Sequence, residues 1–181
     1  MPTFVALLRG VNVGKAKRVP MAEFRALLSG LGYTNVATLL NSGNAVFRAA
    51  KGSPARHAAD IAAAISSQIK VDVPVIVKSA GDLAAIFAQN PVAARTQEHS
   101  RLLVAFVQDA KALPGLAAIE SLVAPPEQFA IGTKAAYLLC PVGILQSQAW
   151  QALLGKAGGL ATTRNWATVV KLLALVQKAE A

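Results

Sequence analysis

Cysteine is almost absent from this chain. Cys140 stands alone, which excludes a disulfide framework and any zinc site built on thiolates. Histidine is nearly as scarce, and His57 and His99 are too few for a histidine metal cluster, so no metal is expected; no cofactor is expected either. Aromatic residues make up only 6%, a thin supply for stacking on nucleic-acid bases. Long apolar runs are missing too. The longest, Ala135 to Leu145, has 11 residues and contains Pro141 and Gly143, whereas a spanning helix needs roughly 18 or more. Acidic residues number 9 against 18 Lys and Arg, leaving +9 at pH 7 and a pI near 10.1. An excess of that size speaks to solubility and to anionic partners, not to fold.

What is present is apolar. Of 181 residues, 54% are hydrophobic, and the mean hydropathy is +0.46, which excludes wholesale disorder and is enough for one domain or two small ones. Met1-Pro2-Thr3-Phe4 has no basic leader of the signal-peptide kind, and Arg9 interrupts the apolar stretch that follows. The expectation is a cytoplasmic protein with no membrane segment.

Thr3 to Leu8 reads as a buried strand, and Gly10 to Val19 as a loop. Pro20 suits the first position of a helix whose stripe is Met21, Phe24, Leu27, Leu28 and Leu31, with Gly32 as its stop. Two strands, Thr34 to Leu40 and Ala45 to Arg48, flank Asn41-Ser42-Gly43-Asn44, whose residues tolerate positive φ and so mark a hairpin. Ser53-Pro54 caps a helix with Ala58, Ile61, Ala62, Ile65 and Ile69 inward. His57, beside Arg56, is expected on its exposed side. Val73 to Lys78 is a further strand. The order β-α-β-β-α-β in residues 1–80 is the split βαβ, or ferredoxin-like, pattern.

Residues 81–100 read as a connecting helix, Asp82 to Asn90, and a polar linker, Arg95 to Ser100, that holds His99. Residues 101–181 partly repeat the first pattern. Leu102 to Val107 is a strand, and Pro114 to Val123 a helix with Leu116, Ile119, Leu122 and Val123 inward. Phe129 to Ile131 and Ala135 to Leu139 form a hairpin around Gly132-Thr133-Lys134, followed by a helix carrying Leu145, Ala149, Trp150, Leu153 and Leu154. No final strand is visible, and a helix from Asn165 to Lys178 takes its place. The expected fold class is α+β: two ferredoxin-like subdomains, the second incomplete, with a C-terminal helix.

The charge is segregated. Residues 1–48 carry a net +5, residues 49–132 are neutral and residues 133–181 carry +4. If the two ends meet, one face is cationic.

Three motifs stand out. In Leu8-Arg9-Gly10-Val11-Asn12-Val13-Gly14-Lys15-Ala16-Lys17-Arg18 the glycines allow close backbone approach and an anion-binding nest. It is not a nucleotide P-loop, because Gly10 and Gly14 are one residue too close and Ala16 stands where a magnesium-binding hydroxyl belongs. Ser42-Gly43-Asn44 is explained by turn chemistry, with Asn44 placed to offer an amide at the strand end. In Thr162-Thr163-Arg164-Asn165-Trp166-Ala167-Thr168, Thr162 or Thr163 would cap the last helix, with Trp166, Val169, Val170, Leu173 and Val176 inward. Arg164 would then sit in the first turn, where the helix dipole disfavours a cation unless an anion is bound. No nucleophile elbow and no productive carboxylate cluster is present.

On these motifs the chain resembles the bacterial family catalogued as domain of unknown function 1697. The resemblance rests on Ala6 to Gly14, Met21 and its helix, Leu31-Gly32-Tyr33, Ser42 to Phe47, and Thr162 to Val169, and it spans essentially the whole chain. It implies ferredoxin-like α+β subdomains and carries no established activity. Lys15-Ala16-Lys17-Arg18 departs from the second glycine and polar residues more usual in the family, so the resemblance does not itself imply a backbone-cradle role for residue 15.

Two functional readings follow from the residues. In the first, the protein binds an anionic ligand, with nucleic acid the leading candidate, between the N-terminal basic loop and the start of the last helix. Its site residues are Arg9, Gly10, Asn12, Gly14, Lys15, Ser42, Asn44, Thr163, Arg164 and Asn165, with Lys17 and Arg18 adding charge. In the alternative, an enzyme acts on a small phosphorylated or carboxylated substrate, with Arg9 and Arg164 as anion clamps and Asn12, Asn44 and Asn165 as orienting amides. Ser42 or Thr163 would then be nucleophile or proton carrier. A structural reading competes with both, in which Arg164 and Asn165 hydrogen-bond carbonyls near Gly10.

Overall fold

Six consecutive buried residues, Thr3–Leu8, make β1, and burial of both alternating sets marks a strand covered on both faces. A computed structural model describes residues 1–92 and 98–181. The polar linker expected at 95–100 therefore lies partly outside the described residues. The chain divides into two units, residues 1–83 with 172–181, and residues 84–171.

In the first unit β1 is followed by α1 (Met21–Gly30), β2 (Thr34–Leu39), β3 (Asn44–Arg48), α2 (Pro54–Ile69) and β4 (Val75–Ser79). The sheet order is β2-β3-β1-β4, antiparallel throughout. Phe4, Ala6, Leu8, Ala45, Phe47 and Val77 share one sheet face and pack with Phe24, Leu27 and Leu28 of α1 and Ile61 and Ile65 of α2. Ser53 caps α2 as expected, its hydroxyl accepting from the Arg56 N–H at 3.2 Å. β2 is the exposed edge, and its register shifts between Thr34 and Ala37, where Asn35 takes φ 50°.

The second unit begins within α3 (Ala80–Ala88). It then contains β5 (Leu102–Phe106), a run of 3₁₀ turns over Ala110–Leu122, β6 (Gln128–Ile131), β7 (Ala135–Leu139), α4 (Gln148–Leu154) and β8 (Thr162–Asn165). Its sheet order, β6-β7-β5-β8, repeats that of the first. The last helix, α5 (Trp166–Glu180), starts in this unit, while Leu172–Ala181 groups with the first. The α+β class and the C-terminal helix agree with the sequence.

Several details need correction. The second unit is not incomplete, because Thr162–Asn165 pairs with β5 as a fourth strand. The segment around Pro114 is 3₁₀, since Pro114-Gly115 interrupts the α-helical ladder, and Leu122 and Val123 are only half-buried. Leu145 precedes α4 and is exposed, as is Leu154, because Ser147 starts the helix by accepting from the Trp150 N–H at 3.0 Å. On α5, Val170 faces solvent and Leu172 is buried in its stead.

Candidate functional site

The first two motifs meet at one end of the first sheet. The Leu8 N–H donates to the Gly43 carbonyl at 2.8 Å, and the Arg9 N–H to the Pro74 carbonyl at 3.0 Å, so the chain leaves β1 pinned on both sides. It then turns through four residues of positive φ: Gly10 (66°), Asn12 (57°), Gly14 (65°) and Lys17 (49°). Asn12 organises the loop. Its backbone N–H donates to the Lys17 carbonyl at 3.1 Å, and its Oδ1 accepts from the Val19 N–H at 2.9 Å. Its Nδ2 donates to the carbonyls of Val19 at 2.9 Å and Asn41 at 2.6 Å. Val11 and Val19 are buried, while Val13 to Arg18 project outward. Lys15, Lys17 and Arg18 thus stand exposed on a braced loop.

Gly43 is where the turn touches the loop. A Cβ there would lie 2.5 Å from the Leu8 Cβ and 2.8 Å from Val11 Cγ2, so only glycine permits the approach, and φ is +82°. Asn44 is fully buried, and its Nδ2 donates to the Leu39 carbonyl and Ser42 Oγ, both at 2.9 Å. The amide of Asn12 therefore ties the loop to the turn, and that of Asn44 closes the turn itself.

Thr163, Arg164 and Asn165 lie in the second unit. Arg164 is not in a helical first turn. It pairs with Val104 in β8, on the face shared with Phe106 and Thr162 by register. It is only 7% exposed, and its Nη1 donates to Thr162 Oγ1 at 3.0 Å and to the Thr163 carbonyl at 2.7 Å. Burial pushes its pKa down to about 10. Asn165, not Thr162 or Thr163, caps α5: its Oδ1 accepts from the Thr168 N–H at 3.0 Å and the Thr168 hydroxyl at 2.9 Å.

His57 corrects the sequence reading. It is 3% exposed, its Nδ1 lies 2.9 Å from the Tyr33 hydroxyl, and Phe4, Tyr33 and Phe47 enclose its ring. Among the described residues its Nε2 has no hydrogen-bond partner. Burial lowers its pKa, against a smaller opposing pull from Asp60. The signal was in the spacing, because His57, Ile61 and Ile65 recur every four residues on one helical face. Cys140 is a buried free thiol. Burial pushes its thiol up to about 11, although its bond to Ser147 Oγ at 3.4 Å opposes the rise. Among the described residues, no group of His, Cys, Asp or Glu is arranged to hold a metal, and no helix is long and apolar enough to cross a membrane.

The fold and motifs define an α+β protein of two four-stranded antiparallel sheets with matching strand order. A family model described as protein of unknown function (DUF1697) matches residues 1–137, and the chain belongs to that family. No curated protein matches it. Its fold is similar to that of the conserved bacterial protein SP0830 from Streptococcus pneumoniae. That likeness has a TM-score of 0.80 and 23% identity, covering 97% of this chain and 98% of that one.

Proposed function

We propose that the loop from Arg9 to Arg18, with the Asn41–Asn44 turn beside it, is an anion-binding surface whose ligand is the phosphate backbone of single-stranded nucleic acid. The observation that carries this reading is the bracing of the loop by Asn12, which holds Lys15, Lys17 and Arg18 outward on an ordered backbone. Cations displayed in this way position a strand without reading its bases. Each unit has the ferredoxin-like order common among RNA-binding modules, but those modules stack bases on an open sheet face. Here the central strands β1 and β3 are buried on both faces, which favours the loop end as the contact. A cytoplasmic setting goes with this reading.

The small-substrate alternative loses two of its three orienting amides, since those of Asn12 and Asn44 are committed to the loop and turn. Burial of Arg164 removes it as an exposed anion clamp, so the proposal rests on the first unit alone.

The test is fluorescence anisotropy of short labelled RNA and single-stranded DNA over a salt series, with wild type beside the Lys15→Ala, Lys17→Ala, Arg18→Ala triple variant. Each lost phosphate contact on a single strand flattens the log–log salt slope by about 0.7, so the variant's slope is shallower by about 2. No binding at low salt, or an unchanged slope, would overturn the reading.

A further inference from the structure

The second unit contains a cavity of about 610 Å³ that the loop reading does not use, within the ~300–1,000 Å³ range of small-molecule sites. Its wall has an aliphatic side. The segment after β7 turns Val142 (76% exposed) and Leu145 (86% exposed) outward beside half-buried Ile144, and all three line the cavity. Aliphatic groups around a concavity give an apolar ligand side chain a surface to cover.

The same wall carries one charge of each sign. Arg101 is held in place by Glu98, 2.6 Å from its Nε, and by the Pro141 carbonyl, which accepts from its Nη1. Its side chain keeps 37% of its surface exposed and lines the cavity, so the fixed guanidinium is accessible to a ligand there. Glu127 is anchored through Oε2, which accepts from the Ala124 N–H at 3.1 Å. The Ser147 hydroxyl, which also starts α4, completes the polar side. A ligand with a single charge can pair with only one of the two ionic groups, whereas a ligand with both charges can offer each group its opposite.

We propose that this cavity binds a small zwitterion with an aliphatic side chain, of dipeptide size, its carboxylate on Arg101 and its ammonium group on Glu127.

The experiment is a ¹⁵N-resolved NMR titration of the full chain with leucyl-leucine and, in parallel, with its N-acetylated, C-amidated form. Expected are saturable shifts at Glu127 and residues 142–147 with leucyl-leucine, and at least about tenfold weaker binding of the capped form. Glu127→Gln weakens only the uncapped ligand. Leu145→Ser, a change at a solvent-facing position that leaves the melting temperature in place, weakens both. No saturable shift at about 10 mM ligand would overturn the proposal. So would equal binding of the capped form, or shifts confined to other residues.

Discussion

Asn12 donates its side-chain amide to the carbonyl of Asn41 at 2.6 Å, across 29 residues of sequence, and thereby ties the basic loop to the β2–β3 turn. The same amide group also closes the loop on Val19, from both its nitrogen and its oxygen. One side chain thus determines whether the cations downstream are presented on a fixed or a flexible backbone.

Replacing Asn12 with alanine removes three hydrogen bonds and places a Cβ residue without a compensating side chain at φ 57°. The expected loss is about 1–3 kcal/mol. Asn12→Gly retains the backbone conformation and loses only the bonds, so it falls between alanine and wild type. Urea denaturation of the three proteins checks this order.

Gly43 and Gly14 both have positive φ, yet they differ in what surrounds them. A Cβ at Gly43 runs into Leu8 and Val11, whereas at Gly14 it meets nothing within 4 Å. Gly43→Ala combines backbone strain with overpacking and costs about 2–5 kcal/mol, while Gly14→Ala costs about 1–2 kcal/mol of strain alone. Thermal melts that place the two variants together would contradict the close approach of turn and loop.

His57 makes stability depend on pH. Its folded-state pKa is lowered by burial, so the unfolded chain takes up the proton first. Its contribution is fully present above the unfolded value of about 6.5 and is lost as pH falls through that value toward the folded one, at no more than about 1.4 kcal/mol per pH unit. Tyr33 on Nδ1, and Asp60 with Arg56 in the same helix, are the titratable and charged groups around this cluster. Urea midpoints at about pH 7.5 and 5.5 fall further apart in wild type than in His57→Phe. Equal differences in the two proteins would show that His57 does not titrate in this window.

Arg164 and Asn165 are expected to act on stability and not on the anion. Arg164→Ala leaves the Thr163 carbonyl short of a donor and costs about 1–3 kcal/mol. Asn165→Ala uncaps α5 and costs about 0.5–2 kcal/mol. Both retain the wild-type salt slope for nucleic acid. An unchanged melting temperature for Arg164→Ala, or a shallower slope, would reverse this assignment.

The strands rich in branched and aliphatic residues were legible in the sequence, from Thr3–Leu8 through Ala135–Leu139, because burial there uses apolar side chains. β8 was not. Its inward residues on one face are Thr162 and Arg164, so the buried face carries no hydrophobic signal, and the segment reads as the lead into a helix. His57 was hidden by charged neighbours, Arg56 and Asp60, although its four-residue spacing to Ile61 was readable. The site motifs were visible as residue types. What could not be seen was how they are used: whether Asn12 and Asn44 face a ligand or their own backbone depends on contacts 29 and 5 residues away.

The most direct test of the loop as an anion surface is an amide chemical-shift map recorded while a short single-stranded RNA is titrated into the ¹⁵N-labelled protein at low salt. The account predicts shifts concentrated at Gly10 to Arg18 and at Ser42-Gly43, fading as salt is raised. Shifts centred elsewhere, with this loop and turn unmoved, would contradict it.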